Sequence, residues 1–223
     1  MNIRENLLAF MQELAYKPMD IKELSKIFDI KKKERPEFEE LLNQMEKDGQ
    51  IVKNRTEHYG IPERMGLVVG KFQGHHKGYG FVIAEVERPD IFIPSSNVNG
   101  AMNGDKVIAK ILKEENAGKK CEGEIIRILE RANKTIIGVY EDSKNFGFVV
   151  PEDQRISHDI FIPKADRNGA KTGQIVIVKI ITWPESRRNP EGKITEILGN
   201  KGDKGIDILT IIKKYSLPEE FPT

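Results

Sequence analysis

Lys77-Gly78-Tyr79-Gly80-Phe81-Val82 is followed a few residues later by Asp90-Ile91-Phe92-Ile93-Pro94. The same pair returns as Lys144-Asn145-Phe146-Gly147-Phe148-Val149 and Asp159-Ile160-Phe161-Ile162-Pro163. Side chains alternate along a strand, so Tyr79 and Phe81 share one face while Gly80 and Val82 take the other. The same period pairs Phe146 with Phe148, and sets Phe92 and Phe161 opposite their flanking isoleucines. Each copy therefore predicts about three aromatics on one sheet face, with aliphatics left for a core behind it.

Around these motifs the strand period continues. Gly66 to Phe72, Tyr79 to Ile83, Ile91 to Ile93, Lys106 to Leu112 and Glu122 to Leu129 read as five strands. Asn99-Gly100 and Asn103-Gly104-Asp105 supply turn signals between them. The second set runs Ile136 to Tyr140, Phe146 to Val150, Ile160 to Ile162, Gln174 to Ile181 and Lys193 to Leu198. The offset is steady, 67 residues from Phe81 to Phe148 and 69 from Gly104 to Gly173 and from Gly123 to Gly192. Two five-stranded units of this size predict tandem OB-type barrels.

Before Gly66 the apolar period is helical. Ile3, Leu7, Phe10, Met11 and Leu14 fall on one helical face. Asp20-Ile21-Lys22-Glu23 is a capping-box start, Pro36 suits a first helical position, and Asp48-Gly49 ends a third helix. Two short strands, Gln50 to Lys53 and His58 to Ile61, complete a winged helix-turn-helix pattern. Duplex reading through the third helix is disfavoured, because Glu37, Glu39, Glu40 and Glu46 on it would repel phosphate. Lys31-Lys32-Lys33 precedes that helix and reads as a solvated turn.

The fold class expected is thus an α+β multidomain chain. Its parts are a winged helix at 1–65, barrels at 66–131 and 135–199, and a connecting segment at 200–223. Ile206 to Tyr215 reads as a short helical or extended piece, ended by Pro218 and Pro222. The 223 residues suffice for such small domains. Lys+Arg number 36 against Asp+Glu 35, a formal net charge of +1, so a purely electrostatic hold on nucleic acid is not expected. The single Cys121 excludes an internal disulfide framework and has no Cys or His at ligand spacing. No stretch reaches the roughly 18 apolar residues of a membrane span, and no signal peptide is recognisable.

The paired strands resemble the two RNA-binding motifs of cold-shock domains, Lys-Gly-Phe-Gly-Phe followed by Val-Phe-Val-His. The carry-over is direct at Lys77, Tyr79, Phe81 and Phe92, with Phe72 on the preceding strand as an extra platform. In the second copy it falls on Lys144, Phe146, Phe148 and Phe161, with Tyr140 in the place of Phe72. Pro94 and Pro163 stand where ordinary cold-shock domains carry histidine, so the carry-over stops at that position. The proline form, continued from Ser95 to Asp105, resembles the ribonuclease R branch of the bacterial 3′→5′ exoribonucleases. So do the order of domains and the tail from Asp207-Ile208-Leu209 to Phe221-Pro222.

That resemblance implies a segment that captures single-stranded RNA and delivers it to a magnesium-dependent catalytic domain beyond Thr223. It implies no cofactor and no catalysis within the segment itself. Asp203 and Asp207 read as solvated linker residues rather than metal ligands. The other partner expected is a protein or auxiliary RNA contact through the winged helix, on a monomeric, cytoplasmic chain with no membrane association. The alternative reading is a self-contained RNA chaperone or translational regulator. A third, a winged-helix DNA-binding regulator, meets the objection of the acidic helix.

Overall fold

The structure is a computed structural model that describes residues 2–114, 121–185 and 188–214. The expected run from Leu217 to Pro222 lies outside the described residues. Three helices, α1 (Ile3–Gln12), α2 (Ile21–Ile27) and α3 (Arg35–Lys47), precede a minimal hairpin of β1 (Val52–Lys53) and β2 (Tyr59–Gly60). Ten strands follow. They are β3 (Leu67–Gly74), β4 (Gly80–Ala84), β5 (Ile91–Ile93), β6 (Lys106–Lys113), β7 (Glu122–Glu130), β8 (Thr135–Asp142), β9 (Phe146–Pro151), β10 (Ile160–Pro163), β11 (Gln174–Thr182) and β12 (Glu191–Asn200). Every strand expected from alternation after Gly66 is present to within two residues at either end.

The ten strands form two closed barrels, in the orders β3-β4-β5-β7-β6 and β8-β9-β10-β12-β11. Each closes through one parallel pairing, Phe92 opposite Glu122 in the first and Phe161 opposite Glu191 in the second. A helix α4 (Ile206–Lys214) follows the second barrel. By packing, the chain divides into two compact units. One comprises residues 1–71, 82–92 and 106–130, and the other 72–81, 93–105 and 131–223.

In the first unit the helical region has its own core, including Leu7, Met11, Leu24, Phe38, Leu42 and Met45. Asp20 caps α2 by accepting from the Glu23 N–H at 2.8 Å, and the Glu23 carboxylate accepts from the Asp20 N–H at 2.9 Å. Leu14, expected on the buried face of α1, is 97% exposed. The helix ends at Gln12, so the helical period no longer carries Leu14 inward. Glu37, Glu39 and Glu40 are exposed as expected. Glu46 is not presented to solvent in the same way, because it pairs with Arg127 of β7 at 2.5 Å. Val52 of the hairpin packs with Val69 and Ile108, which joins the helical region to strands of the same unit.

In the second unit the barrel core is built from alternate residues of its strands, among them Ile136, Tyr140, Val149, Ile160, Ile162 and Val178. Beside it lies a buried polar knot that the sequence reading did not anticipate. Asp105 is completely buried and accepts from the Met102 N–H, the Ala132 N–H and Arg131 Nη1, each at 2.9 Å. Arg131 also donates to the Gly100 carbonyl at 2.8 Å and lies over the Trp183 ring, 4.5 Å from its centroid. A buried carboxylate with both oxygens hydrogen-bonded and an arginine beside it is tolerable where an unpaired one is not. The knot thus fixes the 98–105 loop and the start of the linker in one geometry.

Candidate nucleic-acid interface

The second barrel presents its three phenylalanines as one cluster. On β9 the side chains of Phe146 and Phe148 point the same way, with Gly147 and Val149 buried between and beyond them. Phe161 on β10 is the cross-strand partner of Phe148, and Pro163 pairs with Phe146. Ring centroids lie 5.4 Å apart for Phe146 and Phe148, 5.7 Å for Phe146 and Phe161, and 5.8 Å for Phe148 and Phe161. Phe148 meets Phe146 and Phe161 edge to face, at 78° and 71°, and Phe146 and Phe161 are tilted by 34°. Phe146 is 37% exposed, while Phe148 and Phe161 are half-buried. Lys144, at the head of the strand, is exposed.

In the first barrel Tyr79 and Phe81 form the corresponding pair, edge to face with centroids 6.2 Å apart. Phe92 occupies the middle of β5, half-buried between the fully buried Ile91 and Ile93. Lys77 is exposed at the turn before β4. One feature here was not expected. His75 lies flat on Tyr79, with centroids 4.3 Å apart and planes 12° from parallel, and His76 lies against His75 with centroids 4.1 Å apart and planes tilted by 35°. Its pKa is lowered, first by desolvation and then by His76 and Lys77. The signal was in the sequence, where His75-His76 immediately precede Lys77. The second copy has Asp142-Ser143 there, so the two histidines are not part of what the copies share.

Phe72 and Tyr140 are not stacking platforms. They are 3% and 0% exposed, and they lie inside the barrels. The reason is visible at the central glycines of the two motifs. A Cβ built on Gly80 would come within 2.4 Å of the Phe72 ring, and one on Gly147 within 2.4 Å of the Tyr140 ring. Each inner aromatic therefore fills the space that the glycine leaves, paving the floor beneath the outer aromatics. Tyr140 keeps its hydroxyl satisfied by donating to Asp142 Oδ1 at 2.8 Å, and Arg167 donates to the same oxygen at 2.8 Å. These two partners hold the Asp142 carboxyl below the usual carboxylate range.

Among the described residues, no three His, Cys, Asp or Glu side chains converge as metal ligands would. Asp203 instead accepts from the Asn200 backbone N–H at 2.8 Å and from Asn200 Nδ2 at 3.1 Å, and Asp207 is exposed in the first turn of α4. No described helix is long and apolar enough to cross a membrane.

Comparison with known proteins agrees with this geometry. Residues 70–128 match the Ribonuclease B OB domain family, and residues 148–222 match the Cold shock domain family. Ribonuclease R of Acidithiobacillus ferrooxidans is 32% identical over 98% of the chain and 50% of its own length. Ribonuclease R of Escherichia coli is 36% identical over 81% of the chain, and that of Thermotoga maritima 36% over 93%. The chain spans 22% and 29% of those two proteins. Among solved structures, RNase R of Mycoplasma genitalium in complex with ribose methylated single-stranded RNA shares the fold over 70% of this chain and 25% of its own. The TM-score is 0.60 and the identity 22%. Yeast Ssd1, a pseudonuclease, gives 0.58 at 18% identity over 67% of this chain and 25% of its own. The chain spans half or less of the curated relatives named here, and within it lie the segments that match the OB and cold-shock domain families.

Proposed function

We propose that this chain captures single-stranded RNA on the outer aromatic faces of its two barrels and feeds it to a magnesium-dependent 3′→5′ exoribonuclease activity. The observation that carries this reading is the Phe146, Phe148 and Phe161 cluster, three half-exposed rings on a rigid barrel face with aliphatic core behind them. Ordinary core aromatics would be turned inward, as Tyr140 is. Stacking suits a strand of any sequence, since every base has a flat face, and it needs few phosphate contacts. That matches a chain with a formal charge of only +1. The similarity to ribonuclease R supports the nuclease context. In this reading the helical region, as a winged helix, is an accessory element for protein docking or an auxiliary RNA contact. The chain acts as a cytoplasmic monomer.

The test is a gel-retardation and degradation assay on one sample. A 5′-labelled single strand should be retarded, and it should keep its length in magnesium. Shortening from the 3′ end that survives repurification would refute the division of labour. Failure to retard the strand would refute RNA capture.

The first barrel adds a pH dependence. His75 is held low in the free protein by desolvation, His76 and Lys77. A phosphodiester brought beside Tyr79 raises it. Between the two values binding takes up a proton, so affinity rises as pH falls and levels off below the free-protein value. The parent should bind a single strand more tightly at pH 6 than at pH 8. The His75→Ala/His76→Ala variant should show a flat profile in the same fluorescence anisotropy titration. A parental slope retained in the variant would exclude the two histidines as its source.

A further inference from the structure

A cleft of about 390 Å³ opens in the second unit beside the first-barrel motif. Its polar lining includes His76, Lys77, Ser95, Ser157, His158 and Glu185. Its floor is made possible by Gly100, where a Cβ would stand 2.3 Å from the Pro184 carbonyl, so only glycine lets the two backbones meet. The lining turn is set by Gly78, whose N–H donates to the His75 carbonyl at 2.8 Å. A row of rings leads to the cleft. Phe81 contacts Tyr79, Tyr79 carries His75, and His75 carries His76, which is itself part of the wall.

The chemistry of the lining is unlike that of the aromatic faces. Those faces offer mainly aromatic rings, whereas the cleft combines an ammonium, two imidazoles, hydroxyls and an amide with one carboxylate. Ser157 Oγ lies 3.2 Å from His158 Nδ1, so that hydroxyl and that ring already act together. Burial lowers the His158 pKa, and the neighbouring Asp159 raises it in part. The neutral ring keeps one N–H to donate and a flat surface to stack. The volume falls at the lower end of the range of small-molecule sites, roughly 300–1,000 Å³, which suits one nucleotide rather than a folded partner.

We propose that this cleft holds one further nucleotide of a single strand lying on Tyr79 and Phe81, with its phosphate toward Lys77 and its base against His158. The inference rests on the reading that the aromatic faces bind RNA, and it extends the bound strand past the last stacking ring. Hydrogen-bonding groups in the cleft also make it the place where this barrel distinguishes one base from another.

Two variants test it without disturbing a core. Ser157→Tyr fills the cleft from an exposed position, and His158→Ala removes the proposed base contact. Each is first shown to melt at the parent temperature. The probes are a decauridylate, a tetrauridylate and uridine 5′-monophosphate. Both variants should bind the decamer about tenfold more weakly than the parent and bind the tetramer equally. Unchanged decamer binding in both, alongside weakened binding by Phe148→Ala, would overturn the cleft and leave the aromatic faces standing. If Phe81→Ala and Phe148→Ala are also both without effect, the RNA-capture reading fails and this inference with it. Saturation by the monophosphate without displacement of the decamer would assign the cleft to a free nucleotide and overturn the proposal.

Discussion

Tyr140→Ala is expected to destabilise the second barrel by about 3–5 kcal/mol, the usual cost of removing a fully buried aromatic. Tyr140 has no exposed surface, and its ring lies against the backbone of Gly147, where no other side chain can move in to replace it. A graded series separates the causes. Tyr140→Phe keeps the ring and loses only the hydrogen bond to Asp142, so it should cost about 1 kcal/mol. Gly147→Ala forces a methyl into the same ring and should cost roughly 1–3 kcal/mol through overpacking. Trp183 is the single tryptophan and packs on this core, so its fluorescence in a urea titration reports the second barrel's unfolding. The order Tyr140→Phe, then Gly147→Ala, then Tyr140→Ala is the expected result. A Tyr140→Ala variant as stable as the parent would show that the ring does not support the floor of the platform.

The Tyr140→Phe comparison also has a pH signature. Asp142 is held low in the folded state by the Tyr140 hydroxyl and Arg167. A depressed carboxylate stabilises above its unfolded pKa of about 3.9, and that contribution is lost as pH falls through the folded value. The gap between parent and Tyr140→Phe should therefore be full at neutral pH and shrink in acid.

Alternation alone was enough to locate the outer face, because the barrel interior imposes a period of two on every strand. The same period contained the correction at Phe72 and Tyr140. Lys71 and Gln73 flank Phe72 and are exposed, so Phe72 falls in phase with the buried Gly70 and Val68. Tyr140 falls in phase with Ile136 and Gly138 in the same way. The resemblance to cold-shock domains placed these two residues on the face, and local alternation would have placed them inside. Other features are not local at all. The parallel closures at Phe92 and Phe161 depend on which strand ends meet, and the Asp105 and Arg131 pair joins residues from separate turns. His75 on Tyr79 was missed for a different reason, since comparison of the two copies selects what they share and hides what only one possesses.

The larger effect on binding is expected from replacing Phe146, Phe148 and Phe161 together by alanine. Stacking on an aromatic contributes roughly 1–3 kcal/mol per base. Three rings acting on successive bases thus account for at least about 3 kcal/mol, or on the order of a hundredfold in affinity. The remaining affinity should be that of the first barrel, where Tyr79 already has one side covered by His75. Because these rings carry no charge, the dependence of affinity on salt should stay as in the parent. Lys144→Ala should instead lower the salt slope by about one contact and leave high-salt binding nearly unchanged. Phe148 and Phe161 are half-buried, so loss of binding could follow from a loosened barrel rather than from lost stacking. The triple leucine variant resolves this, since leucine keeps the apolar bulk and removes the flat ring. If stacking holds the strand, the leucine variant melts with the parent by Trp183 fluorescence yet binds as weakly as the alanine variant. Parental affinity in the leucine variant would mean that the face holds RNA by apolar area alone. Parental affinity in a folded alanine variant would remove the second barrel from the binding surface altogether, and the nearly neutral charge of the chain would then need another route to hold a strand.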